Sequence, residues 1–146
     1  MVRTSRRFLF GLVSAVLLSG AASVAMAADV NLAASLSAKN EVPSNASPGT
    51  GSLTATFNPD TKVLTYSVTY EGLTGPAKAA HFHGPAAQGA NAGVVLPFTG
   101  SVESPIKGTA TLTDAQAADL LAGKWYANVH TAANPGGEIR GQVTTK

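Results

Sequence analysis

The chain has 146 residues, 45% apolar and 12% charged, which excludes a disordered protein and leaves room for one domain of ordinary size. It has no cysteine, so disulfides, thiolate metal sites, cysteine nucleophiles and a lipid-bearing cysteine are excluded as well. The net charge of +2 belongs to the precursor, because Arg3, Arg6 and Arg7 supply three of its ten basic residues.

Those arginines open a secretory layout. An apolar run from Phe8 to Leu18, broken by Gly11 and Ser14, leads to Ala25-Met26-Ala27, an A-x-A cleavage site. The run is shorter than the ~20 residues a membrane span needs. Residues 1–27 therefore read as a cleaved signal peptide that sends residues 28–146 to the periplasm or outside the cell. Ser5-Arg6-Arg7 followed by Phe8, Leu9 and Phe10 also resembles a twin-arginine signal, so the export route is left open. Cleavage leaves seven basic side chains against eight acidic ones, a net charge of −1. Nothing basic remains to attract nucleic acid or an anionic membrane.

The mature chain reads as short strands. Val30, Leu32, Ala34 and Leu36 alternate with small residues, a strand with one apolar face. Glu41 to Gly51 holds two prolines and two glycines and reads as a loop. Ser52–Phe57 and Lys62–Tyr70 flank the turn Asn58-Pro59-Asp60 and predict an antiparallel hairpin rich in β-branched and aromatic residues. Ala79–His83, Val94–Leu96 and Ile106–Leu112 are further strands, with a loop of small residues over Gly84–Gly93. Thr113–Gly123 is the one helix, with Thr113 and Gln116 as a capping box, Ala117, Leu120 and Leu121 as its buried stripe, and Gly123 at C′. Lys124–Thr131 and Glu138–Thr144 are the last strands, joined by the turn Asn134-Pro135-Gly136-Gly137. Strands at this spacing, with one short helix at about 113–123, predict an all-β antiparallel sandwich or barrel.

Three histidines carry the chemistry: His81, His83 and His130. On a strand, His81 and His83 point to one face while Phe82 points to the core. His130 shares its strand face with Tyr126 and Asn128. If the two strands are neighbours, the three imidazoles meet, and a His₃ set without thiolates suits copper, with zinc as the alternative. Neutral imidazoles are required, so affinity is expected to fall below pH ~6.5. Tyr126 could bond to the site, bind a metal axially or simply pack, and Asn128 could orient an imidazole. Trp125, on the other face with Ala127 and Val129, reads as core. Glu138 and Arg140 read as a surface ion pair of little energetic weight. No G-x-S-x-G elbow and no Walker lysine appears, so no complete enzyme site is legible.

A set of motifs follows in order: Glu41-Val42-Pro43, Gly72-Leu73-Thr74-Gly75, Ala79-Ala80-His81-Phe82-His83-Gly84-Pro85, Val94-Val95-Leu96-Pro97, Tyr126-Ala127-Asn128-Val129-His130-Thr131 and Asn134-Pro135-Gly136-Gly137-Glu138-Ile139-Arg140-Gly141-Gln142. Together they resemble the CHRD domain, the chordin-type repeat found in exported bacterial proteins, over about residues 30–144. The resemblance implies a secreted, immunoglobulin-like, Greek-key β-sandwich. A more distant similarity is to copper–zinc superoxide dismutases, in which an H-x-H strand binds copper. His81 and His83 match that pair, and His130 could stand for one further copper ligand. The fourth copper histidine, the zinc-site histidines and the disulfide cysteines have no counterpart, and Arg140 is a candidate neighbour of the site. The expected function is therefore metal binding or redox protection in the periplasm. An interaction module for a protein or polysaccharide is the alternative, and a dismutase-like copper enzyme a third. A homodimer is left open, since sandwiches expose edge strands that can pair.

Overall fold

The computed structural model of the chain describes residues 27–146, so the expected signal peptide lies, save its last residue, outside the described residues. The elements run β1 (Val30–Ser37), β2 (Thr50–Asn58), β3 (Val63–Glu71), β4 (Ala77–His83), β5 (Val94–Pro97), β6 (Ile106–Thr111), α1 (Asp114–Leu121), β7 (Tyr126–Thr131), β8 (Ile139–Gln142) and β9 (Thr144–Thr145). All strand pairs are antiparallel. The fold is all-β with one short helix. Among the described residues no helix is long and apolar enough to cross a membrane.

Hydrogen-bonded neighbours follow the order β5-β4-β7-β8-β1-β2-β3-β6, with β9 added beside β1. Strands distant in sequence thus lie side by side, as in β4 with β7 and β8 with β1. A single register pair, Ser37 opposite Arg140, joins β8 to β1. The sheet curls into a half-barrel, and its two halves face each other as in a sandwich. Tyr66 of β3 meets Phe82 of β4 across the interior, ring centroids 5.2 Å apart.

Alternation explains what fills that interior. Leu32, Ala34 and Leu36 of β1, Leu53, Ala55 and Phe57 of β2, and Leu64, Tyr66 and Val68 of β3 are all buried, while their sequence neighbours face outward. Each fully buried Leu, Val or Phe contributes about 1.5–3 kcal/mol relative to exposure. In the opposite half, Ala80 and Phe82 of β4, Trp125, and Ala127 and Val129 of β7 complete the same core.

Two expectations change at the chain's later elements. The strand expected over Glu138–Thr144 divides: β8 pairs with β7, whereas β9 pairs with β1. Fully buried Val143 separates them, its N–H donating to the Trp125 carbonyl at 2.9 Å. The helix forms with its capping box intact, Gln116 N–H donating to Thr113 Oγ1 at 3.2 Å and Thr113 N–H to Gln116 Oε1 at 2.9 Å. Gly123 takes the left-handed conformation at φ +69°, which suits a C′ residue. Ala117 and Leu120 are buried as expected, but Leu121 is 39% exposed. A helix of two turns presents only its i, i+3 line to the core, and Leu121 is rotated past that line.

Candidate functional site

β4 and β7 are neighbours, with His81 opposite Asn128, Ala79 opposite His130 and His83 opposite Tyr126. The three histidines therefore fall on one face, the face opposite Phe82. That face is not open to water along its whole length, since Tyr126 and Asn128 are buried there even though Ala127 and Val129 already fill the core side. Segments carrying Glu41, Asn91 and Gly137 cover it.

The ligand atoms of His81, His83 and His130 lie within 4.8 Å of one another. His81 Nδ1 and His130 Nε2 are 3.1 Å apart. Two ligands at about 2.0–2.1 Å from one ion, with coordination angles of roughly 90–110°, stand roughly 2.9–3.4 Å apart, so this pair is already spaced for a metal. His83 directs Nδ1 at the Ala92 carbonyl, 3.0 Å away. A carbonyl only accepts, so Nδ1 carries the proton and Nε2 the lone pair. That Nε2 is buried and has no hydrogen-bond partner. His130 is fixed in the same way by the Pro135 carbonyl at 3.0 Å. Imidazoles that donate their second N–H to a backbone carbonyl are the usual outer arrangement of metal-binding histidines. Burial lowers the pKa of His81, helped by its neighbours His130 and His83. Burial also lowers that of His130, opposed by the Pro135 carbonyl.

Tyr126 packs its ring parallel to His83, centroids 4.9 Å apart. Its hydroxyl donates to the Ala92 carbonyl at 3.2 Å and accepts from Ala92 N–H at 3.1 Å, so it clamps the residue that fixes His83. Asn128 Oδ1 lies 2.9 Å from His130 Nε2. The Arg140 guanidinium sits over the Tyr126 ring, 3.4 Å from its centroid, and donates to Asn91 Oδ1 at 2.8 Å and to the Ala90 carbonyl. Arg140 thereby ties the Gly84–Gly93 loop to β8.

The expected surface ion pair between Glu138 and Arg140 does not form. Both are buried, at 0% and 2% exposure. Strand alternation fails for this pair because β8 begins at Ile139, leaving Glu138 in the preceding turn. Glu138 instead accepts from Ser47 Oγ at 2.6 Å, Thr74 N–H at 2.7 Å, Thr74 Oγ1 at 2.8 Å, Asn134 Nδ2 at 3.1 Å and Thr131 Oγ1. Burial alone would raise its pKa, but the Ser47, Thr131 and Thr74 donors outweigh it and bring the value down to about 2.

Glu41 is the buried neighbour of the site that sequence reading missed. It is 6% exposed, and burial raises its pKa to about 7 although Arg140 and the Asn128 amide beside it pull the other way. It lies in a loop without periodicity, so the only available signal was its place in the Glu41-Val42-Pro43 motif. Gly137 makes room for it. With φ at +127°, Gly137 adopts a conformation that favours glycine, and a Cβ there would fall 2.5 Å from Glu41 Oε1 and 2.8 Å from Asn128 Nδ2. Gly137→Ala is expected to destabilise the domain by about 1–3 kcal/mol from backbone strain alone, measured by urea denaturation. An unchanged midpoint would contradict this packing.

No curated protein and no solved structure matches the chain. The sequence model of the CHRD domain family matches residues 32–143, from the first strand to Val143, the residue before β9, and across every residue of the site described above. By that match, over most of its length, the chain belongs to the CHRD domain family.

Proposed function

We propose that the domain binds one copper ion, with zinc as the alternative occupant, through His81, His83 and His130. In this reading it acts in the periplasm or outside the cell, in metal binding or redox protection. The observation that carries it is His83 Nε2, a buried lone pair with no hydrogen-bond partner, on a ring whose other nitrogen is spent on the Ala92 carbonyl. An unpaired buried polar atom costs about 1–3 kcal/mol, and a bound cation removes that cost. The spacing of His81 and His130 supports the same occupant. Among divalent ions copper binds a nitrogen-rich site most tightly, which favours it over zinc. The arginine-rich start, the apolar run and Ala25-Met26-Ala27 support an exported protein.

The test is a Cu(II) titration of protein purified without a histidine tag, followed by electron paramagnetic resonance. One ion per chain is expected, with nitrogen couplings from imidazole. A variant with all three histidines changed to Ala is expected to lose the signal. Retention of the same stoichiometric, tight signal in that variant would overturn the proposal.

A further inference from the structure

His130 Nε2 faces two atoms at once, Asn128 Oδ1 at 2.9 Å and His81 Nδ1 at 3.1 Å. The Pro135 carbonyl holds the proton of His130 on Nδ1, so Nε2 presents a lone pair. Asn128 Oδ1 presents lone pairs as well. Two such atoms at 2.9 Å repel unless something electropositive stands between or beside them. In the metal-free site His81 Nδ1–H can donate to His130 Nε2. A metal ion takes the place of that proton and draws on all three facing atoms together.

The orientation of the amide supports this. Asn128 Nδ2 is on the side of Gly137 and Glu41, where a Cβ on Gly137 would meet Nδ2 at 2.8 Å and Glu41 Oε1 at 2.5 Å. Turning the amide over would aim Oδ1 at the Glu41 carboxyl and lose the interaction between the two groups. Asn128 is 2% exposed and stands in the middle of β7, directly opposite His81. Its side chain therefore loses little further freedom on taking up a ligand role.

We infer that Asn128 is a fourth ligand of the proposed metal centre, its side-chain oxygen closing the coordination sphere that His81, His83 and His130 begin. The inference rests on the three-histidine reading and extends it. The donor set becomes three nitrogens and one neutral oxygen, all from β4 and β7. Glu41, whose carboxyl lies on the NH₂ side of the amide with Oε1 otherwise unpartnered, acts as a positioning residue that favours the oxygen facing the ion. The fourth protein ligand takes an equatorial position that water would otherwise hold.

Electron paramagnetic resonance of the Cu(II)-loaded full chain tests this, comparing the unaltered protein with Asn128→Leu and Asn128→Asp in H₂O and D₂O. The unaltered protein is expected to bind one ion with no exchangeable equatorial water. Asn128→Leu is expected to retain one ion through the three histidines. It should gain exchangeable water, change its g∥ and A∥ values, and bind at least tenfold more weakly. Asn128→Asp is expected to exclude water as the unaltered protein does, with g∥ shifted by the anionic oxygen. A contact acting only through His130 would weaken binding without admitting water, so identical hyperfine parameters and no new water in Asn128→Leu would overturn the inference. Should that variant fail to fold, Asn128→Asp decides, and a spectrum unchanged from the unaltered protein overturns it. Absence of stoichiometric copper from the unaltered protein would instead overturn the three-histidine reading itself.

Discussion

Changing Glu138 to Gln is expected to cost the domain about 3 kcal/mol at neutral pH, the free-energy equivalent of a carboxyl whose pKa falls from 4.5 to about 2 on folding. The geometry explains why a neutral isostere is no substitute. One carboxylate oxygen accepts from Ser47 Oγ and Thr74 N–H, the other from Thr74 Oγ1, Thr131 Oγ1 and Asn134 Nδ2. The hydroxyls can rotate away from an NH₂ group. The Asn134 amide can turn over as well, but Thr74 N–H cannot, so Gln must keep its carbonyl oxygen on that side and loses the charge that strengthened every bond. The same pairing predicts acid sensitivity. A carboxyl with a depressed folded pKa stabilises fully above its unfolded value, and that stability drains away as pH falls from about 4.5 towards 2.

Glu41 contributes with the opposite sign. Its folded pKa is raised from 4.5 to about 7, so the fold favours its neutral form. Stability is then complete below pH 4.5 and declines as pH rises through about 7. These two carboxyls together favour the fold most near pH 4.5, while the lowered pKa values of His81 and His130 subtract stability from metal-free protein as pH falls below 6.5. Glu138→Gln should flatten the acid limb and Glu41→Gln the alkaline one. Urea midpoints from pH 2 to 8 on the three proteins check this, and the same profile from pH 4.5 to 8 in Glu41→Gln as in the unaltered protein would contradict the burial of Glu41.

The second large effect is expected at Phe82. It is fully buried between the two histidines of His81-Phe82-His83 and touches Tyr66, Phe98 and Trp125, with centroids at 5.2, 4.8 and 5.5 Å. Phe82→Ala should lose about 3–5 kcal/mol, the usual range for emptying an aromatic core site. It should also impair metal binding at a distance. The anchored ring keeps β4 in register, and a slip of one residue would turn His81 and His83 to the wrong face. Phe82→Leu fills more of the space and should restore much of both properties. Copper affinity and denaturation midpoint measured on the pair would settle whether they move together. Full metal affinity in a Phe82→Ala protein that has lost its stability would separate the two roles.

Much of this was legible from residue order. Leu32–Leu36, Leu53–Phe57 and Leu64–Val68 alternate because each faces a core on one side and water on the other, and the strands form where the pattern lies. Thr113 and Gln116 announced the helix start because capping is local chemistry. His81 and His83 share a face for the same period-2 reason, although only the pairing of β4 with β7 brings His130 to them. The buried acids were illegible. Glu41 and Glu138 stand in turns, and their burial depends on partners dozens of residues away: Arg140 and Asn128 for the one, Ser47 and Thr74 for the other. No local period encodes such meetings. Reading Glu138 and Arg140 as strand neighbours failed at the strand's first residue, where alternation has no force.

The long-range join between the sheet's halves has a kinetic consequence. β1 meets β8 through one register pair, and the Asn40 amide that braces it reaches the Arg140 carbonyl 100 residues along the chain, at 3.1 Å. Contacts so distant in sequence close late, after the hairpin β2–β3 and other local pairings have formed. Arg140 belongs to that join and also holds the loop that aligns His83. Assembly of the histidine cluster is thus tied to the last long-range closure, so appearance of the tight copper signal during refolding should lag behind sheet formation and mark the moment at which the whole chain is in place.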